Sequence, residues 1–394
     1  MAGIAACMTI AATLPKEAAA ATLAGRVWLP AVQGPAVVAV RGGDLVDITA
    51  HAPTMRDLAE SGEPVRLVRE GKGERVGTLA DILANTPEAT RDAARPWLLA
   101  PVDLQAIKAA GVTFPRSMLE RVIEEQARGA PEKAEAIRRS VAAQLGGDLA
   151  TLVPGSPQAA ELKRVLIEQG AWSQYLEVGI GPDAEIFTKA QPMSAVGHGM
   201  AAGLHPISTW NNPEPEVVLV VTSRGAIVGA TLGNDVNLRD VEGRSALLLS
   251  KAKDNNASTA LGPFVRFFDG AFTLDTVRRI EVSLEVVGED GFTLTGRSSM
   301  TEIARDPADL VKQLLGRHHQ YPDGAVLFLG TMFAPVEDRG AKGQGFTHKV
   351  GDITTIRAPE LGALANPMTL STEAPPWTFG TGALMRNLAA RGLL

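Results

Sequence analysis

Beyond residue 216 the chain is built from short apolar runs rich in β-branched residues, separated by turns, with helical stretches entering only irregularly. Val217-Val218-Leu219-Val220-Val221 is a β-branched-rich run, as expected of a buried strand. Ser223-Arg224-Gly225 reads as the turn that follows, and residues 226–232 as the returning strand. Further strands are expected at 279–287, 293–296, 325–329 and 353–356, with a helix at 306–315. Strands and helices that do not alternate regularly argue against a doubly wound parallel sheet and for a β-rich α+β fold. No glycine pattern matches a dinucleotide fingerprint or a phosphate loop.

The first hundred residues read differently. Candidate strands at 26–29 and 36–40, a hairpin turn at Arg41-Gly42-Gly43-Asp44, and short helices opening at Thr54 and Thr78 suggest a small β-rich domain over residues 1–97. A strand at 98–102 then introduces a larger domain over 98–394. Helices are expected at 116–128, 132–145 and 159–168, the last two separated by a loop at Pro154-Gly155-Ser156-Pro157.

The chain has 394 residues, enough to bury a substantial core, and 21% of them are charged. A formal net charge of −6 gives no general attraction to phosphate backbones or anionic membranes, so nucleic acid and membrane are not expected partners. The single cysteine, Cys7, cannot form an intramolecular disulfide. The apolar, Ala-rich start resembles the core of an export signal, but the first cation, Lys16, comes after it. A cytoplasmic location is the expectation.

The chemistry concentrates at Asn211-Asn212-Pro213-Glu214-Pro215-Glu216, directly before the apolar strand. Residues two apart on a strand share a face, so Glu214 and Glu216 aim their carboxylates the same way. Pro215 cannot donate to a sheet ladder and marks a strand start or edge. Adjacent carboxylates repel, and a shared cation relieves that; all-oxygen ligands suit Mg²⁺, Mn²⁺ or Ca²⁺ better than zinc. Taken alone, the same pattern also suits a solvated acidic turn. Asp235, in Gly233-Asn234-Asp235, ends the returning strand, and a hairpin brings its two ends together, so Asp235 can approach the glutamates. Arg239, four residues on, fits an ion pair as well as a site. Lys251 and Lys253 read locally as a solvated surface. Gly330-Thr331, after the apolar run 327–329, offers a backbone amide and a hydroxyl. Each of the histidines fits a structural role, His318 and His319 beside a helix end among them.

Taken in order, Glu214, Glu216, Asp235, Arg239, Lys253, Gly262-Pro263 and Gly330-Thr331, with Ile186-Phe187-Thr188-Lys189 ahead of them, resemble the fumarylacetoacetate hydrolase superfamily over about residues 98 to 370. The resemblance implies a folded mixed β-sheet catalytic domain beside the small N-terminal domain, a divalent metal on Glu214, Glu216 and Asp235, and an assembly of two or four identical chains. Segments 175–187, 210–216, 251–256 and 377–380 are similar to the sugar-acid branch of that superfamily. That branch implies Mg²⁺-dependent dehydration of 2-keto-3-deoxy-D-xylonate to 2-oxoglutarate semialdehyde, with Mn²⁺ or Ca²⁺ as substitute metals and a small sugar acid as partner. In that reading Lys253 and Glu185 share the acid and base work, and Arg239, Thr331, Gly330 and Lys189 meet the substrate.

The chain also departs from the hydrolases. Many of them carry a histidine and a glutamate on a short lid helix, and together these activate water. Here Ser117 stands at the histidine position and Glu120 at the glutamate position. Serine is no base near neutral pH without help, which favours elimination over hydrolytic carbon–carbon cleavage. Cleavage of a 2,4-diketo acid remains the alternative reaction. A metal- and sugar-acid-binding protein without activity is the alternative of another class.

Overall fold

The computed structural model describes residues 3–128, 130, 133, 152–168, 170, 172–340 and 342–394. The helix expected at 132–145 lies outside the described residues, apart from Lys133. Two sheets form the body. The larger has eleven strands, in the order Glu74–Thr78, Asp44–Asp47, Gly34–Arg41, Leu23–Leu29, Thr259–Phe267, Ile227–Asp235, Pro215–Val221, Ala325–Phe328, Ala106–Gly111 and Glu185–Ala190, with Trp97–Leu99 paired to Leu23–Leu29. The smaller has five: Thr293–Ser299, Glu281–Val287, Ile353–Ala358, Gly362–Leu370 and Ala202–Leu204. Most pairs are antiparallel, but Ala325–Phe328 runs parallel to Ala106–Gly111, so the large sheet is mixed. The fold is α+β and sheet-rich, as expected.

The strand Pro215–Val221 explains its own sequence. Val217, Leu219 and Val221 pack against the small sheet, with Val282, Leu284 and Ile356. Val218 and Val220 face the other way, toward Met55, Leu58 and Val68 of the N-terminal helices. With both faces covered, no polar alternation can survive. Glu281–Val287 shows the opposite pattern, strictly alternating buried and exposed residues, because only one face of the small sheet is covered. The N-terminal strands are hydrogen-bonded into the large sheet through Leu23–Leu29 beside Thr259–Phe267.

Helix starts follow the expected chemistry. Thr54 and Thr78 accept the amides of Asp57 and Asp81 as N-caps, and Asp306 accepts that of Ala308. The helix Pro115–Ala127 begins on a proline, whose missing N–H is no loss there. Met118, Val122 and Ile123 turn its apolar face to the helices Pro157–Glu168 and Gln174–Ile180. Its opposite face looks across the ends of the central strands. No described helix is long and apolar enough to cross a membrane.

Candidate metal centre and active site

Glu214, Glu216 and Asp235 come together because the strands that carry them pair in register. Pro215 lies opposite Asn234 and Glu216 opposite Gly233, and the Asp235 amide donates to the Glu214 carbonyl at 3.1 Å. The three side chains are buried, and one oxygen from each lies within 4.8 Å of the other two.

Two lysines stand against this triad. Lys253 Nζ, from the end of the short helix Leu249–Lys253, lies 2.6 Å from Glu214 Oε2 and 3.2 Å from Asp235 Oδ2. Burial alone would lower its pKa, but Asp235, Glu214 and Glu242 reverse this and raise it, so it is an ammonium in the metal-free protein. Lys189 is fully buried beneath Asp235, with Nζ 3.1 Å from Oδ1, and it donates to the Lys253 carbonyl. The Gly330 amide donates to Glu216 Oε2 at 2.6 Å. Thr331 lines the same cleft.

The helix Pro115–Ala127 closes the opposite side. Ser117, Glu120, Arg121 and Glu124 recur at helical spacing and all face the cleft. Arg121 is the residue sequence reasoning missed. Its Nη2 donates to Glu214 Oε1, and its Nη1 lies 2.7 Å from Glu124 and 2.8 Å from Glu242. Glu124 and Glu242 were missed with it; for Arg121 and Glu124 the sequence signal was a polar stripe continuing from Ser117 and Glu120. Arg239 is almost wholly buried: Nε donates to Glu124 at 2.7 Å, Nη1 to the Pro335 carbonyl at 2.9 Å, and the guanidinium lies over the Trp210 ring. Ser117 Oγ donates to the Phe114 carbonyl, so its proton is committed to the helix backbone. No histidine lines the cleft among the described residues.

Glu185 opens the edge strand opposite Gly111 and reaches into the cleft. Burial, reinforced by Glu242, raises its pKa to about 7. In all, seven carboxylates line the cleft against three cationic side chains, with Lys189 below. That excess of negative charge suits a cation, and the details agree. Asp235 Oδ1 is buried and, despite its ion pair with Lys189, makes no hydrogen bond. Burial together with Asp235 and Glu214 holds Glu216 well above the usual carboxylate range. Glu214 is held low: Lys253 and Arg121 overcome its burial. The triad, an all-oxygen donor set, therefore fits a hard divalent ion such as Mg²⁺.

Residues 181–369, which span this triad, match the model of the fumarylacetoacetate (FAA) hydrolase C-terminal domain. That match covers just under half of the chain, which is similar there to the fumarylacetoacetate hydrolase family. Among curated proteins, the chain is 32% identical over 187 residues to a 2-dehydro-3-deoxy-D-arabinonate dehydratase of Saccharolobus solfataricus, covering 47% of this chain and 58% of that protein. It is 33% identical over 198 residues to a probable 2-keto-3-deoxyxylonate dehydratase of Haloferax volcanii, covering 50% of this chain and 63% of that one. The chain thus spans about three fifths of each curated relative. The fold is also that of a solved 2-keto-3-deoxy-D-arabinonate dehydratase complexed with magnesium and 2,5-dioxopentanoate, with a TM-score of 0.59 at 20% identity over 88% of this chain and 99% of the other.

Proposed function

We propose that this chain is a Mg²⁺-dependent dehydratase that converts 2-keto-3-deoxy-D-xylonate to 2-oxoglutarate semialdehyde (2,5-dioxopentanoate) and water. The observation that carries the reading is the pairing of Lys253 and Glu185 with the Glu214, Glu216 and Asp235 cradle, in a cleft whose helix offers Ser117 where a water-activating histidine would stand. The relatives' names point to the same substrate class. Dehydration at carbons 2 and 3 erases those stereocentres, so D-arabinonate and D-xylonate yield one and the same keto-deoxy acid. The open choice is the configuration at carbon 4.

In this reading Glu214, Glu216 and Asp235 hold the ion, which when bound supplies Lewis acidity to the 2-oxo acid. Lys253 takes a proton from carbon 3. Asp235 and Glu214, the two largest of the three carboxylate influences that keep it charged, are groups a cation would neutralise, which frees it to act as a base. Glu185, half-buried in the cleft and holding its proton near neutrality, donates to the hydroxyl leaving carbon 4. The resulting carbon–carbon double bond moves by loss of a proton from carbon 5 and gain of one at carbon 3. A proton added at carbon 4 then gives the aldehyde. Arg239 and Lys189 hold the carboxylates and backbone of the site.

The test supplies the carbon-4 epimers of the keto-deoxy acid and couples the product to an aldehyde dehydrogenase, in ordinary and deuterated water. The expected result is 2-oxoglutarate from the D epimer, solvent deuterium at carbons 3 and 4, and loss of turnover after chelation. Pyruvate from a 2,4-diketo acid, with no semialdehyde from either epimer, would sink the dehydratase reading.

A further inference from the structure

Both oxygens of Glu214 are already engaged by cations of the protein, Oε1 by Arg121 and Oε2 by Lys253. An ion held by the triad must displace one of them or share its oxygen. The two are not equally free to yield. Lys253 is 2% exposed, is held by Asp235 as well as Glu214, and lies against the Phe187 ring. Both of its ion-pair partners belong to the triad. Arg121 is more accessible and has a second arm: its Nη1 keeps Glu124 and Glu242 when its Nη2 lets go of Glu214. A guanidinium suits this because its donors are fixed in a fork, so one can release while the other holds.

Resting on the metal reading above, we infer that Arg121 is a specificity-determining residue: the ion displaces its Nη2 from Glu214, and the freed donor receives the carboxylate of the 2-oxo acid substrate. The fork stays tethered to Glu124 and Glu242, beside the triad, so the donor is delivered where an acid chelated at the metal would present its outer carboxylate oxygen. Arg121 then exchanges one carboxylate for another, and its hydrogen bond is not lost on substrate binding. The same exchange makes anion binding depend on prior metal binding.

The test needs no turnover. Mg²⁺ is titrated calorimetrically into metal-free wild type and Arg121→Met, and pyruvate, an unreactive 2-oxo acid, into the Mg²⁺-saturated proteins. The expected result is Mg²⁺ affinity in Arg121→Met equal to or above that of wild type, because a competing cation is gone. Pyruvate affinity should fall by about 10-fold or more, the scale of a charge-assisted hydrogen bond. Arg121→Lys, which keeps a charge for Glu124 and Glu242 but loses the second arm, should show the same pattern more weakly, and it decides the matter should Arg121→Met not fold. Weakened Mg²⁺ binding would make Arg121 a support for Glu214 and overturn the inference. So would unchanged pyruvate affinity, or no pyruvate binding by the loaded wild type. Wild-type protein that binds no Mg²⁺ would instead overturn the metal reading beneath it.

Discussion

The backbone amide of Gly330 donates to Glu216 Oε2 at 2.6 Å, so a turn after one strand orients a carboxylate on its neighbour. The sequence offered that amide to a substrate; the fold gives it to a triad member. Gly330 has φ +85, and a Cβ there would stand 2.1 Å from Thr113 Oγ1 and 2.9 Å from the Ala110 carbonyl. Gly330→Ala must therefore shift the turn and its amide. The expected outcome is Mg²⁺ binding weakened about 10-fold or more by calorimetry, on the scale of one lost hydrogen bond to a charged group. Glu216→Gln, which removes a ligand charge, should abolish turnover with the circular dichroism spectrum retained.

Lys253→Met keeps side-chain length and removes the ammonium. If Lys253 manages the carbon-3 proton, kcat should fall by roughly 10²–10⁴ with little change in KM. A loss confined to KM, measured by steady-state kinetics, would leave it a binding group alone.

The pH profile should report Glu185. Its pKa is raised to about 7 in the metal-free protein, and a nearby cation draws it down. A general acid must hold its proton, so kcat should decline as pH rises through a value at or below about 7, and Glu185→Gln should abolish that limb. Gly111→Ala offers a gentler probe. Its added Cβ would stand 2.1 Å from Glu185 Oε2, the movable end of a side chain, so the fold should survive while kcat falls. A profile still showing the limb in Glu185→Gln would assign it to another group.

Arg239 should matter for stability as well as activity. Arg239→Met strips Glu124 of one of its two guanidinium partners and frees the Pro335 carbonyl in a buried setting. Breaking a buried pair costs about 3–5 kcal/mol. With Arg121 still paired to Glu124, the loss should fall near the lower end, read as a reduced urea midpoint. A change below about 0.5 kcal/mol, the scale of an ordinary surface substitution, would mean the pair adds nothing.

What the sequence by itself determined was whatever lay along a short stretch of chain. The apolar run 217–221 announced a buried strand, and Thr54, Thr78 and Asp306 announced helix starts, because burial patterning and capping are local. Glu214, Glu216 and Asp235 could be grouped because one hairpin joins their strands. Tertiary structure decided the rest. The strand Thr259–Phe267 was not foreseen, and among the described residues its pairing with Leu23–Leu29 joins the N-terminal strands to the central sheet. Arg121 and Glu214 meet from positions 93 residues apart, and the polar stripe that Arg121 continues from Ser117 and Glu120 does not say what faces it. Which acids are ionised, and which lysine is held charged, depends on burial and on neighbours from separate elements. Those interactions act through space and leave no periodic trace along the chain.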